Sequence, residues 1–295
     1  MQAFIHEKTH RFFRTFKRRM KKHGKLCDCK TLTYEGGDIP DYENKILQPY
    51  YLLRYFPAYL AEYYLMYKKM LRSLFLKNQQ LKVLSIGCGS GIDLWGLYFA
   101  IKNKHLNPDE KIDYTGVDLV NWRYFDNMEL EDVYFYQKNI ADWEEMDEDN
   151  YNVIVFPKSI GEFSVPDFAS LCKMFENTTF SEDRICVLCS LMELGRGSDM
   201  NRCKKIANIL TKKHGYSCLD DTSKYWHYKE AGIRKYCWDF VYPDNIKNYL
   251  DGLQRHCPTY IENGNVSCKD DCDNLNRSPI LKTTYINYSM LRFKR

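Results

Sequence analysis

Long apolar runs are missing from this 295-residue chain. Its most apolar stretch, YYLLRYFPAYLAEYYLMY (residues 50–67), is broken by Arg54, Pro57 and Glu62, so it does not read as a bilayer span. The N-terminus carries charge throughout and lacks the apolar centre of a signal peptide. Repeats and low-complexity tracts are also absent. Twelve cysteines in a chain of this size do not make a small secreted disulfide framework. Several, such as Cys186 and Cys189 in RICVLCSLM, sit in apolar runs where a free thiol behaves as a small hydrophobe. Cys27 and Cys29, with Cys268 and Cys272, form two close pairs, but structural zinc prefers C-x2-C to C-x4-C spacing and the C-x-C of Cys27 and Cys29 is off that pattern. These absences predict a soluble, cytoplasmic, metal-free protein with no stable membrane association. With 44% hydrophobic and 15% aromatic residues, a wholly disordered chain is excluded.

Positive charge is unevenly placed. Residues 1–30 hold ten Lys or Arg against Glu7 and Asp28, while the whole chain has a net charge of only +4. The rest of the chain is therefore net acidic. Over residues 3–23, Phe12, Phe16 and Met20 recur at helical spacing with cations around them, which reads as a basic amphipathic helix. Such an arm can bind nucleic-acid phosphates, lie on an acidic membrane, or dock through its phenylalanines. RNA is the partner its charge favours; the oligomeric state is left open.

Periodicity predicts an N-terminal helical extension over residues 1–78, with two helices between Tyr42 and Lys77 divided near Pro57. From residue 79 onward, short apolar runs alternate with helical segments. Strands are expected at 81–87, 112–119, 133–137, 151–156 and 184–192. Helices are expected near 92–104, after Pro166, and over 200–215. An elaboration at about 216–280 precedes a closing strand at 280–293. Alternation of this kind implies right-handed crossovers. The expected fold class is α/β, a three-layer α/β/α sandwich with a mostly parallel, seven-stranded sheet.

The first strand runs into Gly87-Cys88-Gly89-Ser90-Gly91. Open parallel sheets bind ligands beyond the carboxyl ends of their strands, and a helix beginning near Ile92 adds exposed N–H groups there. Asp118, ending the second strand, can accept hydrogen bonds from both hydroxyls of a ribose. The G-x-G-x-x-G spacing of a dinucleotide site is missing, because the third glycine comes one position early.

The pattern resembles the class I S-adenosylmethionine-dependent methyltransferases over residues 80–215. The resemblance implies S-adenosyl-L-methionine as cofactor, with Gly87, Cys88, Gly89 and Gly91 under its amino-acid and ribose portions and Asp118 at the ribose. Asn139 and Ile140, in QKNIAD, fall where that family meets the adenine. Ser85 stands where many relatives place an acid. The acceptor site is then expected at FPKSIGEF (residues 156–163), with Glu162 as base and Ser159 or Lys158 against substrate. Glu193 is a weaker candidate. The D/N-P-P-Y/F signature of DNA amino-methylases is absent there. His227, in the aromatic and cationic stretch 225–240 with Tyr225, Trp226, Arg234 and Trp238, is a further candidate base. The expected activity is methyl transfer to RNA or another nucleic acid. The alternatives are a small-molecule methyltransferase with a helical lid, or a degenerate member of the fold that only binds.

Overall fold

The computed structural model describes residues 1–23, 26, 29, 40–77, 79–103, 112–123, 132–146, 151–192, 195–229, 242–266 and 285–295. The chain divides into two compact units, one of residues 1–59 with 237–283 and the other of residues 60–236 with 284–295. This division differs from the 1–78 and 79–295 expected from sequence. Part of the expected elaboration groups with the N-terminal helices.

In the first unit, α1 (Gln2–His23) buries Ile5, Phe12, Phe16 and Met20. Phe16 stacks on Tyr50 at 5.5 Å between ring centres, and Phe12 meets Phe56 edge-on at 5.2 Å. Each such side chain stabilises by about 1.5–3 kcal/mol. Arg11, Arg14, Arg18, Lys21 and Lys22 remain exposed. At 100° per residue they fall within about 100° of one another on the helix surface. The arm thus has a docked apolar face and a solvent-facing cationic one.

Pro57 does not divide the next segment. α2 (Leu47–Arg72) is one helix with Pro57 inside it. Proline cannot donate to the carbonyl four residues back, which is that of Leu53. The hydroxyl of Tyr242 donates to that carbonyl instead. A partner from a distant part of the chain supplies the missing bond. Tyr242 belongs to the same unit, which also contains α6 (Asp244–Asp251) and α7 (Pro258–Glu262).

The second unit is built on β1 (Leu81–Ile86), α3 (Ile92–Lys102), β2 (Ile112–Asp118), β3 (Asp132–Gln137), β4 (Val153–Pro157), α4 (Val165–Asn177), β5 (Arg184–Ser190), α5 (Arg196–Lys212), β6 (Ser217–Cys218), β7 (Trp226–Lys229) and β8 (Tyr285–Lys294). The strand order is β3-β2-β1-β4-β5-β8-β6, with β7 also paired to β8. Strands β1 to β5 are parallel and β8 is antiparallel to β5. Among the described residues the sheet has eight strands where seven were expected, because the two-residue β6 and the four-residue β7 share one edge of β8. Both come from residues read in the sequence as elaboration.

Crossovers through α3 and through α4 leave β1 and β4 in opposite directions, so these helices cover opposite faces of the sheet. On the α4 and α5 face, Ile86, Phe156, Phe175, Val187, Ile206 and Leu210 belong to one buried cluster. The strand order reverses between β1 and β4. The ligand crevice of such a sheet opens at that reversal.

Candidate active site

Register puts three strand ends side by side at the reversal. Ile86 pairs with Val117, and Ser85 with both Gly116 and Val155. One step onward along each strand lie Gly87 and Asp118, with Pro157 level with them. The chain then turns at Gly87, Gly89 and Gly91, which all adopt left-handed backbone with φ of 68°, 56° and 71°. Residues with a Cβ lose about 1–2 kcal/mol in that region, which accounts for three glycines in five positions. At Gly87 the need is also steric, since an added Cβ would overlap the Cβ of Ser159. At Gly89 it would meet only the Trp122 ring, at 3.8 Å.

Asp118 ties this loop down. One carboxylate oxygen accepts the Gly89 N–H at 2.7 Å and the other accepts the Val120 N–H at 2.8 Å. Burial pushes its carboxyl pKa up, while the hydrogen bonds from Val120 and Gly89 favour the ionised form. Each oxygen keeps further lone-pair capacity. Beside it Leu119 is 68% exposed and offers apolar surface at the rim. Asn139 follows β3, where the Lys138 N–H bonds the Asp118 carbonyl at 2.9 Å. The Asn139 side-chain oxygen caps a short 3-10 turn over Ile140–Asp142 by accepting the Ala141 N–H at 3.0 Å. Ile140 is buried.

Beneath the loop lies a carboxylate that the sequence reading passed over. Asp93, in the first turn of α3, is fully buried. It accepts hydroxyls from Ser85 at 2.8 Å, Tyr114 at 2.9 Å and Tyr67 at 3.3 Å. Burial raises its pKa to about 6, against the opposing effect of those hydrogen bonds. The serine in the place of the family's acid is therefore one of the donors to a buried acid eight residues on. An acid inside the apolar run IDLWGLYFAI is the sequence signal that marked it.

The segment after β4 supplies Ser159 and Glu162. Ser159 is buried and its hydroxyl donates to the Ile86 carbonyl. It is a strut under Gly87 and does not face substrate. Glu162 is different. Its side chain keeps an open face to solvent, yet protein crowds it enough to push its pKa to about 7. Desolvation is the main cause, with repulsion from Asp118 and Asp199 added. The carboxylate is thus within electrostatic reach of Asp118 and Asp199.

Other candidates lie elsewhere. The Lys158 ammonium is turned inward onto Glu62, 2.8 Å away, so it is not offered to substrate. His227 is on β7, hydrogen-bonded to Asn287 of β8. Four strand spacings separate β7 from β1, roughly 19 Å across the sheet, so the fold does not bring His227 to the glycine loop. Cys88 is buried, its thiol pushed well up by desolvation, and it contributes backbone rather than chemistry. Glu193, Arg234, Trp238, Cys27, Cys268 and Cys272 lie outside the described residues.

The sheet order, the left-handed glycine turn at its reversal and the acid closing β2 belong together. The fold is that of the class I methyltransferases. Among solved structures, the chain is similar to the plantazolicin methyltransferase BpumL in complex with a triazolic desmethylPZN analog and SAH, at 15% identity over 98% of this chain and 100% of that one, with a TM-score of 0.45. It is also similar to the YcgJ protein from Bacillus subtilis, at 11% identity over 78% and 97%, with a TM-score of 0.39. A putative sarcosine dimethylglycine methyltransferase from Galdieria sulphuraria shares 10% identity over 78% and 84%, with a TM-score of 0.37. No protein-family model and no curated protein matches the chain.

Proposed function

We propose that this protein is an S-adenosylmethionine-dependent methyltransferase acting on RNA, with Glu162 as general base. The observation that carries the reading is the constellation at the sheet reversal. There, Asp118 holds the N–H of Gly89 in a turn of three left-handed glycines, and the open carboxylate of Glu162 lies within its electrostatic reach.

The residues present fit the cofactor. The backbone at Gly89 leaves free the space a side chain would fill. Asp118 has lone pairs left for ribose hydroxyls after accepting two N–H groups. Leu119 offers apolar surface beside it, and Asn139 and Ile140 follow the neighbouring strand. Bound there, the cofactor would supply a methyl group on an already activated sulfonium. Methyl transfer then needs little beyond alignment of the acceptor and removal of its proton. Glu162, poised near neutrality, would take the proton that the acceptor gives up.

RNA as acceptor is supported by the exposed cationic face of α1, whose apolar face is already buried and so leaves the charge for an outside partner. The test has two arms. Calorimetry with S-adenosylmethionine should show binding, and transfer of labelled methyl from it to a structured RNA should depend on Glu162. Absence of binding at millimolar cofactor would remove the enzyme reading. Binding with no transfer to RNA would leave the small-molecule enzyme in its place.

A further inference from the structure

Two destabilising features meet at the turn leading from β4 to Glu162. Lys158 has left-handed backbone with φ of 63°, shared among described non-glycine residues only with Leu74 and Asn265. Its ammonium lies 2.8 Å from Glu62 Oε1 and 3.5 Å from the Leu191 carbonyl. Glu62, on the part of α2 that belongs to the same unit, is fully buried. The same Oε1 accepts the Ser190 hydroxyl at 2.6 Å, whereas Oε2 is buried without a hydrogen-bond partner. A buried carboxylate oxygen left unsatisfied and a lysine held left-handed each work against folding. Apolar residues of similar size often replace such a buried pair at no loss of stability. Stability alone is therefore a poor account of this one.

What the pair does hold is backbone direction. With its side chain anchored inward on Glu62 and Leu191, Lys158 cannot relax to a right-handed or extended conformation without breaking the bridge. The next turn is closed by the Glu162 N–H on the Ser159 carbonyl at 2.9 Å, so the direction of the chain at Lys158 sets where Glu162 emerges. We propose that Glu62 is a positioning residue: its ion pair with Lys158 latches the left-handed turn that aims Glu162 toward the glycine loop. This rests on the reading of Glu162 as the base.

Glycine adopts the turn without a latch, and alanine does not. The decisive comparison is therefore between E62A/K158G and E62A/K158A. Both remove the buried charges, and only the first leaves a residue at home in the left-handed region. Amide hydrogen exchange over residues 159–163 should be about tenfold faster in the alanine variant, matching the left-handed penalty. SAH production from S-adenosylmethionine and a structured RNA should fall in kcat by a similar factor, with KM for the cofactor unchanged. The single variant E62A should resemble the alanine double or fare worse, and if it does not fold the two doubles still decide. Equal exchange in the two doubles would overturn the latch and leave an ordinary structural bridge. Calorimetry on the unmodified protein judges the methyltransferase reading separately, because the exchange contrast needs no cofactor and no turnover.

Discussion

Glu162 and Asp118 are acids within electrostatic reach of each other, and their surroundings differ. Asp118 accepts two backbone N–H groups, which fix its orientation; in the proposed function it holds the ribose. Glu162 is crowded and near like charges, with its pKa at about 7, so it can take and release a proton near neutrality. The variant E162Q should lose turnover by roughly 10²- to 10⁴-fold while calorimetry shows cofactor affinity unchanged. In the unmodified protein, kcat should rise with pH through about 7 as the carboxylate forms. Stability runs the other way. A folded pKa raised above the ordinary carboxyl value gives a contribution that is present at low pH and lost as pH rises through about 7. E162Q should therefore melt higher than the unmodified protein at pH 8, with no such gain at pH 4. The variant D118A should weaken S-adenosylmethionine binding by about 1–3 kcal/mol, read by calorimetry.

At the scale of the element, the glycine turn separates folding from binding. Gly87 sits on the Ser159 strut, where a Cβ has no room, and Gly89 faces a gap bounded by Trp122. G87A should destabilise by about 2–4 kcal/mol, from the left-handed penalty together with overpacking. G89A meets only the first of these and should lose about 1–2 kcal/mol, yet weaken cofactor binding sharply by filling the cradle. Thermal melts and calorimetry on the two variants should rank them in opposite orders. The same contrast of local rule and distant partner appears in α2. Pro57 predicts a break by removing a donor, and the Tyr242 hydroxyl, far along the chain, satisfies the carbonyl left over.

On the scale of the whole molecule, the charge of α1 is accessible and its apolar stripe is not. Removing the helix would strip Ile5, Phe12, Phe16 and Met20 from a packed core, so truncation would report on folding. Neutralising the outer face leaves the packing alone. The variant R11Q/R14Q/R18Q/K22Q should keep the melting temperature within a few degrees and leave cofactor binding unchanged. If those cations meet phosphates, the slope of log affinity against log salt should shrink by about 3 for a structured RNA, measured by fluorescence anisotropy. An unchanged slope would move the acceptor to a small molecule.

Much of the sheet-bearing unit was legible along the chain because its determinants are local. Short apolar runs alternating with helical patterns marked β1 to β5 and their helices, and glycine is favoured in left-handed turns, so Gly87, Gly89 and Gly91 stood out together with Asp118 at the end of the second strand. Glu162 could be named as a candidate, but its pKa depends on desolvation and on the charges of Asp118 and Asp199, which only folding brings near. Ser159, Lys158 and His227 look equally reactive in one dimension. Tertiary structure separates them: a hydroxyl buried on the Ile86 carbonyl, an ammonium locked to Glu62, and an imidazole four strands from the loop. The eighth strand was hidden because β6 and β7 are too short to carry a period. Asp93 and Glu62 showed in the sequence only as acids interrupting apolar runs, because a buried acid is intelligible only with its partners, and those lie on other elements. Sequence by itself determined what each segment could become, through steric and hydrophobic rules that act over a few residues. The fold decided which polar groups met and which were left facing the crevice, because burial, charge proximity and hydrogen-bond satisfaction are properties of neighbours in space.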